Sequence, residues 1–371
     1  MKIAFLHFWT LRLSRGVETL TLSLANALAE RDSDVSILTA RRTRKPLVDP
    51  APRVRVHEFP TFRYYEAKTI IPFYVAELVR GHYDIVVTFF ADFGEGRALQ
   101  LVAPFVKPSL VLYLTFPYES APHRYHAYQQ FGWHRRADLI LADAKYTAER
   151  GAEFFHRPVS VLPSGTNPNR FKPDPQKRAA MRAKLGIAER APVLLNVSAL
   201  ERRKGTWRAI EALPQIRARC PDVRYLIMGE GSERAGLEKR AVESGVRDAI
   251  IFGGTTADLP PCYNAADIFV MLSDGEAGSI ACLEAMASGL PAVVSNTGGF
   301  DEVVNSSNGR IVDVNEFQNI ADVMVELADN AELRMQLGMA GRTTIIENFS
   351  WERIAEKFDR MLHEQMDLRQ R

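Results

Sequence analysis

Short apolar, β-branched runs alternate with longer amphipathic segments along the whole chain. In the first half the runs are Ile3–Leu6, Val35–Leu38, Ile85–Thr88, Leu110–Leu114, Leu139–Ala142 and Val159–Leu162. Between the first two lies Val17–Glu30, where Leu20, Leu24, Ala27 and Leu28 fall at helical spacing. The second half restarts the rhythm with Val193–Val197, Tyr225–Met228, Ile250–Phe252, Ile268–Leu272 and Ala292–Ser295. Continuous apolar strands separated by helices predict parallel sheets covered on both faces. The pattern therefore predicts an α/β protein of two doubly wound, Rossmann-like domains. Pro163-Ser164-Gly165-Thr166-Asn167-Pro168, continuing through Pro173-Asp174-Pro175, marks the join between them. The domains are expected at 1–168 and 169–351, with a terminal helix over about 352–371 returning to the first. Parallel α/β sheets bind ligands beyond the carboxyl ends of their strands, so two such domains face to face are expected to leave a cleft between them.

At 371 residues the chain is too long for one compact core and suits two domains. It is 46% hydrophobic and 25% charged, as soluble globular proteins are. No stretch approaches the ~20 apolar residues of a membrane-spanning helix, and Met1–Leu6 runs into His7 without a signal-peptide core. Cys220, Cys262 and Cys282 offer neither a disulfide framework nor metal-ligand spacing, which implies a reducing, cytoplasmic setting. The net charge of +2 divides unevenly. Residues 1–165 hold 21 Lys+Arg against 16 Asp+Glu, and the remainder 26 against 29. That imbalance is either chance or a first domain that meets anionic lipid or an anionic acceptor, with Arg41-Arg42-Thr43-Arg44-Lys45 as its densest run.

The chemistry concentrates in Ser273-Asp274-Gly275-Glu276-Ala277-Gly278-Ser279-Ile280-Ala281-Cys282-Leu283-Glu284. A strand ends in a small-residue turn and a helix begins near Ser279 or Ile280, where free N–H groups and the positive dipole end attract phosphate. Glu276 precedes that helix and Glu284 lies about one turn inside it. Two carboxylates beside an anion site make sense if each accepts hydrogen bonds from hydroxyl groups, one set on a sugar and one on a ribose.

Glu276-x7-Glu284 followed by Ala285-Met286-Ala287-x-Gly289-x-Pro291 resembles the signature of the retaining glycosyltransferases of family 4, with the GT-B fold. Val197 to Gly205, ending in Lys204-Gly205, resembles the family's Lys-Gly segment. Met228-Gly229-Glu230-Gly231 resembles its glycine turn, Gly298-Gly299-Phe300-Asp301-Glu302 its Gly-Gly-x-x-Glu run, and Arg15-Gly16-Val17-Glu18 its first-domain Gly-Gly-x-Glu. Alone, Glu-x7-Glu describes one helix face and Lys204 a solvated charge; the order and spacing of the set carry the likeness.

The resemblance implies transfer of a sugar from a nucleotide-sugar donor to a glycan, glycolipid or small-molecule acceptor, with retention and without a metal or other cofactor. No nucleic-acid partner is expected, and the site is expected in the cytoplasm, with peripheral contact at an anionic membrane. Glu284 would hold the ribose, Glu276 the transferred sugar, and Lys204 the departing diphosphate. The amides of Gly278, Ser279, Ile280 and Ala281 would reach the phosphates or sugar, and Gly16 would let the first domain's backbone approach the diphosphate.

Four positions depart from the family pattern. Ala199 stands where an arginine often sits, with Arg202 or Arg203 of the same loop as replacements. The Glu-Gly-Phe-Gly turn is Glu276-Ala277-Gly278-Ser279. Leu114–Tyr118 holds no histidine, and His123 and His126 beyond it read as surface residues. Gly165-Thr166-Asn167 replaces Gly-x-Asp. Two rival functions are a nucleotide-sugar epimerase of the same fold and a non-catalytic nucleotide- or partner-binding member. A nicotinamide dehydrogenase is disfavoured because no Gly-x-Gly-x-x-Gly follows the first strand.

Overall fold

The computed structural model describes every residue except 14–15, 44–45, 62–66, 90–93 and 371. The chain divides into two compact units, Met1–Ser164 with Trp351–Arg371, and Gly165–Ser350.

In the first unit the strands are β1 (Lys2–Leu6), β2 (Asp34–Ala40), β3 (Arg55–Phe59), β4 (Ile85–Thr88), β5 (Ser109–Leu114), β6 (Leu139–Ala142) and β7 (Ser160–Val161). They form one parallel sheet in the order β3-β2-β1-β4-β5-β6-β7. The helices are α1 (Gly16–Ala29), α2 (Ile71–Gly81), α3 (Gly94–Val102), α4 (Pro122–Gln130), α5 (Trp133–Arg136) and α6 (Lys145–Phe155). Alternate strand residues Ala4, Leu6, Leu38, Val86, Leu112, Leu114 and Ile140 share one core with Tyr74, Leu99, Tyr125, Trp133 and Phe155 from the helices. Their neighbours Ile3, Phe5, Val35 and Ile37 are equally buried, so both faces of the sheet are covered.

The second unit holds α7 (Pro175–Leu185), β8 (Val193–Val197), α8 (Thr206–Arg219), β9 (Arg224–Met228), α9 (Arg234–Glu243), β10 (Ile250–Gly254), α10 (Pro260–Ala265), β11 (Ile268–Met271), α11 (Ile280–Ala287), β12 (Ala292–Ser295), β13 (Gly309–Val312), α12 (Phe317–Asp329) and α13 (Ala331–Asn348). Its parallel sheet runs β10-β9-β8-β11-β12-β13. Leu194, Ile268 and Val270 face Ile210, Leu213, Met324 and Leu327 on one side. Val193, Leu195, Phe269 and Met271 face Tyr263, Leu283, Met286 and Ile345 on the other.

The closing helix α14 (Trp351–Gln370) belongs to the first unit. It buries Ile354, Ala355, Phe358 and Leu362, and its Asp359 and Arg369 meet Arg31 at 3.6 Å and Asp138 at 3.1 Å. Two strands absent from the apolar pattern are β3 and β13. Both lie at sheet edges, where one side needs no apolar partner, and they read Arg-Val-His-Glu-Phe and Gly-Arg-Ile-Val.

Candidate functional site

Strand order reverses direction in the second unit between β8 and β11, and the loops leaving those two strands carry Lys204 and Glu276. The chain after β8 makes a short 3₁₀ turn over Arg202–Lys204, then passes through Gly205 at φ +66° into α8. No other residue fits there: a Cβ on Gly205 would fall 1.7 Å from the carbonyl oxygen of Leu272. The β8 and β11 loops are thus stacked backbone on backbone. Asp274 N–H donates to Arg203 O at 2.8 Å. Buried Arg208, in the first turn of α8, donates to Leu272 O at 2.8 Å and pairs with Asp274 Oδ1 at 2.6 Å.

This stacking brings the predicted catalytic pair together. The Lys204 ammonium donates to Glu276 Oε1, and both side chains are largely buried. Arg203 reaches the same oxygen at 3.5 Å and holds Glu201 at 3.0 Å. Arg202 instead lays its guanidinium 4.3 Å over the Trp207 ring. Of the two arginines that could replace the one missing at exposed Ala199, Arg203 is therefore the one that joins the site.

The Glu276 backbone is fixed from the far side by the turn after β12. Gly299 N–H donates to Glu276 O at 2.8 Å, and Gly298 has φ +76° with its missing Cβ 2.0 Å from that same oxygen. Thr297 Oγ1 donates to Ser273 O at 2.8 Å. The Gly298-Gly299 run positions Glu276 by packing.

Helix α11 follows. Ser279 is its N-cap, accepting from Cys282 N–H at 3.3 Å, so its hydroxyl serves the helix. Gly278, Ser279, Ile280 and Ala281 are half-buried around the helix start, whose first N–H groups have no partner within the helix. Glu284, one turn in, is in a different environment from Glu276. It is buried, its Oε2 accepts from Tyr263 O–H at 2.8 Å, and burial pushes its carboxyl up to about 7 against the opposing pull of Tyr263 and Arg170.

The remaining predicted positions are dispersed. Gly16, in the first unit, is the exposed first residue of α1, and a Cβ there meets nothing within 4 Å. The fold of the first unit itself imposes no glycine at that position. Arg15 beside it lies outside the described residues, as do Arg44 and Lys45 of the basic run. Arg41 is exposed, while Arg42 pairs with Glu58 at 2.8 Å. His123 and His126 are exposed on α4. Asn167 Oδ1 accepts from the amides of Asn169 at 3.0 Å and Arg170 at 3.1 Å, an Asx turn that asparagine makes as well as aspartate.

Two residues that touch the site had no sequence signal. Arg208 sits in an ordinary helical stretch and Tyr263 in a Pro-Pro-Cys-Tyr-Asn run. His7, in the first unit, is fully buried, 3.8 Å from Glu18, and pushed down to about 3 by burial and by Arg124, so it is neutral. Among the described residues, no group of three His, Cys, Asp or Glu side chains stands where it could hold a metal.

Comparison with known proteins gives the same answer for both units. The profile described as "Glycosyl transferases group 1" matches residues 177–344, and that described as "Glycosyltransferase Family 4" matches residues 14–170. The chain belongs to glycosyltransferase family 4. Over 232 residues the family 4 chain is 34% identical to a GDP-mannose-dependent alpha-(1-6)-phosphatidylinositol monomannoside mannosyltransferase of Mycobacterium tuberculosis, covering 59% of this chain and 60% of that one. The chain thus spans about three fifths of the length of the mycobacterial relative it matches. Over 365 residues it is 27% identical to the lipopolysaccharide core biosynthesis glycosyltransferase LpsE of Rhizobium meliloti, covering 98% and 99% of the two chains. Among solved structures, Anabaena Alr3699/HepE in complex with UDP-glucose superposes with a TM-score of 0.79 at 19% identity, covering 98% of this chain and 100% of that one. That likeness shows the fold, GT-B, built from two Rossmann-like units.

Proposed function

We propose that this family 4 chain transfers a hexosyl group from a nucleoside diphosphate sugar to a hydroxyl of a glycolipid or glycan, with retention of configuration and without a metal. The observation that carries the proposal is the meeting of Lys204, Arg203 and Glu276 at the β8/β11 switch point, beside the start of α11 and one helical turn from buried Glu284. As the glycosyl–phosphate bond breaks, negative charge grows on the phosphate and positive charge on the sugar. Lys204, Arg203 and the amides of α11 supply fixed positive charge to the phosphate side. Glu276 and Glu284 accept from hydroxyl groups of sugar and ribose.

The names of relatives support a GDP-sugar donor and a glycolipid acceptor: one is GDP-mannose-dependent and acts on a phosphatidylinositol monomannoside, and another serves lipopolysaccharide core biosynthesis. Those relatives are named transferases, which disfavours the epimerase. A glycolipid acceptor also gives a reason for contact with an anionic membrane, and exposed Arg41 at the end of β2 supports it.

The two glutamates test the proposal. In the structure Lys204 is neutralised by Glu276. Glu276→Ala therefore leaves GDP affinity unchanged or higher, because the ammonium is released to the diphosphate, while turnover of GDP-mannose falls. Glu284→Ala weakens GDP and GDP-mannose alike, by about ten- to a hundredfold, the cost of a hydrogen bond to a charged group. Calorimetry with both ligands on both variants distinguishes them, with circular dichroism as the check on folding. Equal loss of GDP in the two variants overturns the separate roles, and no loss in either reduces the pair to a helix face.

A further inference from the structure

Glu284 sits in a pocket whose other walls determine what its carboxylate can do. Tyr263 comes from α10, which Asn264 fastens to the chain before α7 by donating to Lys172 O at 3.1 Å and accepting from Asp174 N–H at 2.6 Å. The Tyr263 ring is wholly buried and meets Phe171 edge-on, with centroids 5.7 Å apart. Its hydroxyl therefore has little freedom to swing. That hydroxyl carries one hydrogen and two acceptors lie in reach, Glu284 Oε2 at 2.8 Å and Ala281 O at 3.3 Å. The shorter contact, to the group that can bear charge, takes the proton.

We propose that Tyr263 is a positioning residue for the donor site, holding Glu284 as an oriented carboxylate with Oε1 left for a hydroxyl of the ligand. The proposal rests on the assignment of Glu284 to the ribose. A buried carboxyl without help takes up a proton, and a protonated carboxyl gives up part of its capacity as an acceptor. One donated hydrogen bond opposes this by favouring the anion, and it also fixes which oxygen faces the ligand. Burial has already pushed the Glu284 carboxyl up to about 7, so the help matters at neutral pH.

Among the described residues, few other charged groups act on Glu284. Arg170 favours the anion from the loop before α7, with its guanidinium 5.2 Å over Phe171 and donating to Ala257 O at 3.2 Å. Arg342 of α13 donates to the carbonyls of Phe171 and Ala287, at the far end of α11. The thiols of Cys262 and Cys282 act on Tyr263 and are themselves pushed up by burial to about 11 and about 12, so they stay neutral through the relevant range.

The test is GDP affinity by calorimetry between pH 5.5 and 9, with UDP as a second probe. In the wild type, affinity falls as pH drops through the Glu284 midpoint. Tyr263→Phe removes the donor, favours the acid form and moves that midpoint up by about one pH unit. Its affinity is several-fold below wild type at pH 7 and recovers at pH 9. Replacement of Tyr263 by 3-fluorotyrosine keeps the shape, strengthens the donor and moves the midpoint down, so the measurement survives if Tyr263→Phe does not fold. Glu284→Gln flattens the profile. A midpoint that stays put in the tyrosine variants, with affinity lowered equally at every pH, reduces Tyr263 to packing and overturns the proposal. A Glu284→Gln protein that binds GDP as the wild type does, with the same pH profile, overturns instead the ribose assignment on which the proposal stands.

Discussion

Gly298→Ala separates the packing argument at the site from the ligand argument, because the substitution meets Glu276 only at its backbone and leaves its carboxylate chemically unchanged. The new Cβ would lie 2.0 Å from Glu276 O and 2.7 Å from Glu276 N, at a residue with φ +76°. The left-handed backbone alone costs an L residue about 1–2 kcal/mol. Carbon and carbonyl oxygen normally approach to about 3.3 Å, so one of the two backbones must retreat by roughly 1.3 Å. We expect a total loss of about 2–4 kcal/mol of stability. Moving Glu276 by that distance is expected to cost ~10² in turnover, the usual penalty for a 1 Å misplacement. Gly275→Ala is the control: it lies beside Glu276 in the same loop, shows no left-handed φ, and its Cβ meets nothing within 4 Å. That variant should stay within about 0.5 kcal/mol of wild type. Urea denaturation reads the first quantity, and steady-state turnover of GDP-mannose the second. If Gly298→Ala loses stability but keeps its kcat, the turn absorbs the shift and does not position Glu276. If it behaves like Gly275→Ala in both assays, the backbone contact itself is refuted.

Three further outcomes are expected. Lys204→Ala lowers kcat by ~10²–10³ with little change in urea midpoint, since one donor to the departing phosphate is removed; near-normal turnover would sink its role. Activity persists in excess EDTA, because Lys204, Arg203 and the start of α11 supply the charge a cation would, and loss of activity that magnesium or manganese restores would contradict this. Sedimentation with liposomes rises with anionic lipid and falls in an Arg41→Glu, Arg42→Glu variant, each basic residue near such a surface contributing about 1 kcal/mol; sedimentation that ignores lipid charge removes the membrane contact.

The hydrophobic pattern alone determined that the chain builds parallel sheets covered on both faces, because a strand buried on both sides must be apolar at nearly every position. Val193–Val197 and Ala292–Ser295 are strands with the bounds read from sequence, and the helix expected to begin near Ser279 or Ile280 begins at Ile280. The edge strands Arg55–Phe59 and Gly309–Val312 escaped because half-exposed strands carry polar residues that look like loop. Motif order likewise marked Lys204, Glu276 and Glu284, since short loops at strand ends fix which residues a sheet presents together. Tertiary structure decided what those residues meet. Eight positions separate the two glutamates in sequence, yet one is held between Lys204 and Arg203 and the other is buried against Tyr263, which comes from another helix. The choice of Arg203 over Arg202 turned on a tryptophan ring five residues further along. The reason for Gly205 and Gly298 lay in carbonyl oxygens 67 and 22 residues away, at Leu272 and Glu276. Such contacts depend on how two loops stack across a sheet, and a one-dimensional pattern carries no record of that distance.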